Sequence, residues 1–218
     1  MKLYLIRHGQ TEWNLEGKIQ GKTDIPLNET GLQQAQLLAD GMEAREICAV
    51  YSSPLLRAVQ TAAVLAEKKK LKLQLVPELR EVDFGLWEGR SWIKVDKEFH
   101  EDFRNWEENP AVYMPTGGES IESCGSRCRG AVERIVSELT GVRDTAVQDA
   151  AIVAHGGILA HVVDYLLRNQ TEKEEIIVKN ASISVVEYDP ETEVGRLLFL
   201  NDTAHLGAAS NGKSNKFC

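Results

Sequence analysis

The first fifteen residues constrain this chain most. Lys2-Leu3-Tyr4-Leu5-Ile6 is a short apolar run with an aromatic and a β-branched residue, and it stops abruptly at Arg7-His8-Gly9-Gln10-Thr11-Glu12-Trp13-Asn14. Such a run reads as a buried strand. In an open α/β sheet, ligands sit just beyond the carboxyl ends of the strands, which is where this polar cluster falls. Arg7 offers a fixed fork of donors suited to phosphate oxygens, and His8 can be a nucleophile or a proton carrier. Gly9 is expected to let the main chain approach a ligand in a conformation that a Cβ would forbid.

The rest of the chain alternates strand and helix patterns. Asn28-Glu29-Thr30-Gly31 offers cap residues, and Leu32, Ala35, Leu38, Ala39 and Met42 follow at helical spacing. Ile47-Cys48-Ala49-Val50-Tyr51 reads as a second strand. Ser52-Ser53-Pro54 then starts a helix, with proline in the first turn. Leu55, Leu56, Val59, Ala62, Ala63 and Leu65 are expected on its inner face, and Lys68-Lys69-Lys70 suits its negative end. Leu71 to Val76 alternates as a third strand, and 91–115 reads as a helical, aromatic excursion over the sheet. A glycine turn at Gly117-Gly118 precedes a helix through Leu139. Ala150 to Ala154 is a fourth strand, with a helix from Gly157 to Leu167 behind it. Ile183 to Tyr188 and Arg196 to Leu200 read as a closing β pair. The pattern predicts a three-layer α/β/α sandwich around a mainly parallel sheet. With no repeat or linker, 218 residues suit a single domain.

A formal net charge of −8 argues against nonspecific binding to nucleic acid or to an anionic membrane. No apolar stretch approaches the ~20 residues needed to span a bilayer. The N-terminus enters a strand with no secretory pattern, so the cytoplasm is the expected compartment. Cys48, Cys124, Cys128 and Cys218 lack a CxxC pair. Cys124 and Cys128, one helical turn apart, could contribute to a metal site, but reduced structural thiols are the better reading.

Three strand ends carry similar chemistry: Arg7-His8-Gly9, then Arg57 in the helix after the second strand, then His155-Gly156-Gly157. If these strands are neighbours, two arginines and two histidines converge on one pocket, whose natural ligand is a tetrahedral dianion. Taken alone, Arg57 reads as a solvated helix face or an ion pair; His100, His161 and His205 have no setting comparable to the strand ends, and His100 and His161 read as structural or solvated. A leaving oxygen needs a proton, and Glu78, Glu81 and Asp83 lie in a suitable loop after the third strand.

At this point the residues resemble the histidine phosphatase superfamily, the phosphoglycerate-mutase-like family, over nearly the whole chain. The likeness is carried by Leu5 to Asn14, Gln20-Gly21, Asp24, Pro26-Leu27, Gly31, Ser52 to Ala62, Leu79-Arg80-Glu81, Gly117 to Ser120 and Ala154 to Gly157. It implies a phosphoglycerate-mutase-like fold and a phosphomonoester hydrolase that works through a phosphohistidine at His8. Arg7, Arg57 and His155 would clamp the phosphate, and Asn14, Gln20, Gly21 and Gly156 would help to bind it. Glu81 would donate a proton and then activate water, with no metal or other cofactor.

Phe84 to Gly89, Trp106, Asn109-Pro110 and Gly117 to Ser120 resemble the α-ribazole phosphatase branch and its broad-specificity cousins. The implied partner is a small phosphorylated metabolite, α-ribazole 5′-phosphate among the candidates, and a homodimer is compatible with the chain. Thr116 stands where relatives often have proline, and Ala160 where many have arginine, which weakens any one substrate assignment. The alternatives are a phosphoglycerate-type mutase and a noncatalytic phospholigand-binding protein. The mutase requires a sealed site, and the short segment from Gly207 to Cys218 argues against a covering tail.

Overall fold

The structure, a computed structural model, describes residues 1–141, 148–168 and 176–210. Among them, six strands form one sheet in the order β3-β2-β4-β1-β5-β6. The strands are β1 (Lys2–Arg7), β2 (Ala49–Ser52), β3 (Leu73–Leu75), β4 (Ala150–Ala154), β5 (Ile183–Asp189) and β6 (Val194–Asp202). The first four run parallel, while β5 and β6 are the antiparallel closing pair. The helices are α1 (Glu12–Leu15), α2 (Glu29–Gly41), α3 (Leu56–Lys69), α4 (Trp92–Glu98), α5 (His100–Glu108), α6 (Ile121–Gly141) and α7 (Gly156–Leu166).

Strand period explains the layers. Leu3 and Leu5 of β1 join Ala150 and Ile152 of β4 in one core with Ile135 and Leu139 of α6 and Leu159 and Val163 of α7. The intervening Tyr4 and Ile6 join Ala151 and Val153 in a second core with Leu38 of α2 and Ala62 and Leu65 of α3. Successive side chains point to opposite faces, so a strand apolar at every position needs a helical layer on each side. This is the mixed α/β sandwich that the sequence pattern implies.

Four expectations are corrected in detail. Helix α3 starts at Leu56 with Leu55 as its cap, so Pro54 lies outside the first turn. Its buried stripe is Arg57, Ala58, Thr61, Ala62, Leu65 and Ala66, while Leu56 and Ala63 are exposed. The face is rotated because the start of α3 lies against the sheet's carboxyl edge, where polar Arg57 and Thr61 have partners. Leu32 is half-exposed rather than part of the core. Strand β3, at the sheet edge, pairs only over Leu73–Leu75, with β2 as its neighbour.

Segment 91–115 folds as α4 and α5, with Ser91 capping α4 by accepting from Lys94 N. Its aromatics build a core of their own. Trp87, Ile19, Val95 and Phe103 are buried together, and Trp92 stacks on Trp106 with ring centroids 5.6 Å apart.

Cys124 and Cys128 are buried in the α6–α7 core. Among the described residues no group of three or more His, Cys, Asp or Glu side chains is arranged to hold a metal ion, and no helix is long and apolar enough to cross a membrane. Cys218 and the tail from 211 lie outside the described residues.

Candidate active site

The sheet order decides the site. Strands β2, β4 and β1 are adjacent and parallel, so their carboxyl ends lie side by side. Arg7 pairs with Ala154 at the last register position, and His8 N continues the ladder to Ala154 O at 3.0 Å. Ser53 N bonds Val153 O at 3.0 Å on the other side of β4. The rings of His8 and His155 therefore come to 5.2 Å, and both are buried.

His8 has an assigned polarity. Its Nδ1 lies 2.7 Å from the carbonyl of Gly9, which can only accept, so Nδ1 carries the proton and Nε2 keeps its lone pair. The backbone beneath it is pinned, because Asn180 Nδ2 and Ala181 N both donate to His8 O at 3.1 Å. Gly9 is needed for a reason other than the expected one. A Cβ there would stand 2.6 Å from Gly31 O, so the missing side chain admits the start of α2, while Gly9 N donates to Thr61 Oγ1 at 3.0 Å.

Arg57 is fully buried, not a solvated helix face. Its Nε donates to His155 Nδ1 at 3.2 Å, its Nη1 to Thr23 O at 2.8 Å and its Nη2 to Gly21 O at 2.7 Å. Burial lowers its pKa to about 10, so it remains cationic at neutral pH. With Nδ1 accepting, the His155 proton sits on Nε2 and is donated to Ser53 Oγ at 2.7 Å. A phosphate clamp through His155 therefore requires its ring to exchange the Arg57 or the Ser53 partner. Arg7 is oriented by Nη1 donating to Val178 O at 2.5 Å.

Glu81 is the carboxylate at this niche, which Arg7, His8, Gln20, Gly21, Arg57 and Phe84 also line. It accepts from Val82 N at 2.9 Å and from Gly157 N and Ile158 N at 3.2 Å each. It thus satisfies amides that the first turn of α7 leaves open. A Cβ on Gly157 would stand 2.8 Å from Glu81 Oε1, so a side chain there would displace the carboxyl. The rival carboxylates are engaged elsewhere: Glu78 pairs with Arg134 at 2.9 Å and Asp83 with Lys22 at 2.6 Å.

Asn14 and Gln20 each bring a buried polar atom with no hydrogen-bond partner among the described residues, Nδ2 and Oε1 respectively. The first is a donor suited to an anion, whereas Gln20 must turn its amide to present its N–H groups. Gly21 contributes its carbonyl to Arg57 and adopts φ +53. Gly156 lies beside Arg7, where a Cβ would stand 3.4 Å from the guanidinium carbon.

Several positioning residues had no distinctive sequence signal. Glu88 accepts from Lys22 N, Thr23 N, Thr23 Oγ1 and Phe84 N, and so ties the 20–24 loop to the glutamate loop. Arg127 forms a part-buried pair with Glu119 and donates to the carbonyls of Glu78, Arg80 and Glu81, which shapes the loop that carries Glu81. Ser53 and Asn180 act on His155 and His8.

Beyond the niche, and sharing Arg7, Glu81 and Phe84 with it, opens a cavity of about 290 Å³. His161 lines it, and its engagement with Cys124 fits the expected structural role. Its pKa is raised, chiefly by hydrogen bonding to Cys124. His100 is exposed and pairs with Asp96, and His205 holds Ala181 O at 2.9 Å.

The two central histidines are held well below their usual pKa of 6.5, first by burial and then by the Arg57 charge. Below pH 6.5 the unfolded chain therefore binds more protons at these positions than the folded one. Stability conferred by keeping them neutral is present above pH 6.5 and is lost as pH falls toward their folded values. Histidine carbon resonances of the ligand-free protein should show His8 and His155 still neutral at pH 6.5. Half-protonation of either at that pH would contradict the burial argument.

A family model described as the histidine phosphatase superfamily (branch 1) matches residues 3–203. The chain belongs to that superfamily. It is 35% identical over 208 residues to phosphoserine phosphatase 1 of Hydrogenobacter thermophilus, covering 95% of each chain. It is 32% identical to the adenosylcobalamin/alpha-ribazole phosphatase of Escherichia coli, over 77% of this chain and 79% of that one. Among solved structures, mycobacterial glucosyl-3-phosphoglycerate phosphatase in complex with VO3 is similar at a TM-score of 0.81 and 30% identity, covering 93% of this chain and 99% of that one.

Proposed function

We propose that this protein hydrolyses phosphomonoesters of small metabolites through a phosphohistidine on His8, with no metal. The observation that carries this reading is the His8 ring. Its Nδ1–H is tied to Gly9 O, so Nε2 is presented as a nucleophile in a niche with two guanidinium groups and one carboxyl group. In the first step Nε2 forms a bond to phosphorus as the ester P–O bond breaks, and Glu81 delivers a proton to the leaving oxygen. In the second, Glu81 takes a proton from water as its oxygen attacks phosphorus, the P–N bond breaks, and phosphate leaves. Arg7 and Arg57 supply the positive charge that the equatorial oxygens need, which is electrostatic stabilisation by preplaced groups.

Hydrolysis is favoured over phosphoryl return to substrate by the relatives, several of which bear phosphatase names. Those names differ in substrate, α-ribazole phosphate among them, so the substrate reading must come from the cavity. Vanadate is expected to inhibit competitively, and EDTA to leave the rate unchanged, when phosphate release from p-nitrophenyl phosphate is followed. Loss of activity on chelation, restored by a divalent cation, would refute the metal-free reading. Conversion of 3-phosphoglycerate to its 2-isomer without phosphate release would favour the mutase.

A further inference from the structure

The cavity beside the phosphate niche is the larger part of the site, and the chemistry just proposed leaves it unexplained. Its described walls are mostly apolar, with Val82, Ile121 and Ile176 along the sides and the aromatic rings of Phe84 and Trp106 meeting edge-on at 6.5 Å. At about 290 Å³ it stands at the small end of ligand pockets. Trp106 is fixed by its stack on Trp92, so this wall is rigid.

The charged residues on the wall are Arg7, Glu81 and Glu119. Arg7 faces the phosphate niche, and Glu119 is neutralised by its part-buried pair with Arg127. A carboxylate on the leaving group would be desolvated beside Glu81, and the one described side chain left to face it is His161, already engaged by Cys124, so its burial is costly. An uncharged ring would bury its faces against Phe84 and Trp106 at no such cost.

His161 is the remaining polar side chain on the described wall. It sits on α7 with Nδ1 on the α6 side, 4.0 Å from where a Cβ on Gly125 would stand, and the ring borders the cavity. An imidazole offers an N–H in either protonation state.

Resting on the phosphatase reading, we propose that the cavity takes an uncharged, ring-bearing alcohol. His161 is then the specificity-determining residue, hydrogen-bonding a polar group on the ring's far side. It stands apart from phosphoryl transfer, so its effect falls on KM rather than kcat.

The test compares three alkyl esters, 2-naphthylmethyl phosphate, (6-hydroxy-2-naphthyl)methyl phosphate and phosphoserine, by kcat/KM in wild type, His161→Leu and His161→Gln, so that all leave as aliphatic alcohols. Wild type should prefer the naphthylmethyl ester to phosphoserine by about 10-fold or more, a gap of one uncompensated buried charge. The ring hydroxyl should add about 3- to 10-fold, the range for one neutral hydrogen bond. That advantage should vanish in His161→Leu, through KM, and persist in His161→Gln. Preference for phosphoserine would overturn the substrate class, and a hydroxyl advantage that survives in His161→Leu would overturn the role of His161. Failure to turn over any of these esters, p-nitrophenyl phosphate included, would instead overturn the phosphatase reading and this inference with it.

Discussion

Turnover by His8→Ala should fall by about 10⁴-fold or more, because the substitution removes the atom that forms the covalent intermediate. The fold should survive. His8 lies past the last residue of β1, and its backbone bonds to Ala154, Asn180 and Ala181 do not involve the imidazole. Its ring is buried against His155 and the Arg57 charge rather than in either apolar core. Removing it deletes little hydrophobic packing and relieves the desolvation of one polar group. Circular dichroism and thermal unfolding should therefore stay near wild type while phosphate release disappears. Near-normal turnover in a folded His8→Ala would rule His8 out as the nucleophile.

The second large effect falls on Glu81. Its carboxyl is anchored by the amides of Val82, Gly157 and Ile158 at the rim of the niche. Glu81→Gln keeps the size but cannot exchange a proton, so kcat should fall by about 10²–10⁴-fold with alkyl phosphates. The loss should be much smaller with p-nitrophenyl phosphate, whose leaving phenolate needs little protonation. Equal losses on both substrates would mean that Glu81 does not protonate the leaving oxygen. The amides of Glu78 and Asp83 should be far milder, because those carboxylates are committed to Arg134 and Lys22.

The site was legible where chemistry coincides with a strand end. Arg7-His8 and His155 each follow an unbroken apolar run, and their convergence needed only that β1 and β4 be neighbours, which the structure shows. The layered fold was legible for the same reason, since the unbroken apolar runs Leu3 to Ile6 in β1 and Ala150 to Ala154 in β4 demand helices on both faces. The phase of α3 was not. An inward face counted from apolar residues misses a helix whose first two turns bury Arg57 and Thr61 against other polar groups.

The roles of Glu88, Ser53, Asn180 and Arg127 were also out of reach, although Ser53 and Glu88 fall inside stretches that carry the family likeness. Each is an ordinary polar residue whose role depends on a partner distant in sequence, such as Arg127 at the carbonyl of Glu81. Gly9 was selected correctly and explained wrongly, because the carbonyl that excludes its Cβ belongs to Gly31, in the first turn of a different element. That His161 borders a cavity was not legible, because a histidine inside a helix carries no sign of the space beside it.

The covalent step is open to direct observation. The protein would be mixed with a radiolabelled phosphomonoester, quenched in alkali within the first turnovers, digested and mapped. A phosphoryl group on His8, stable to base and lost in acid, and absent from His8→Ala, is the expected result. Label on another residue, or full turnover with no phosphoenzyme at any quench time, would contradict a phosphohistidine at His8.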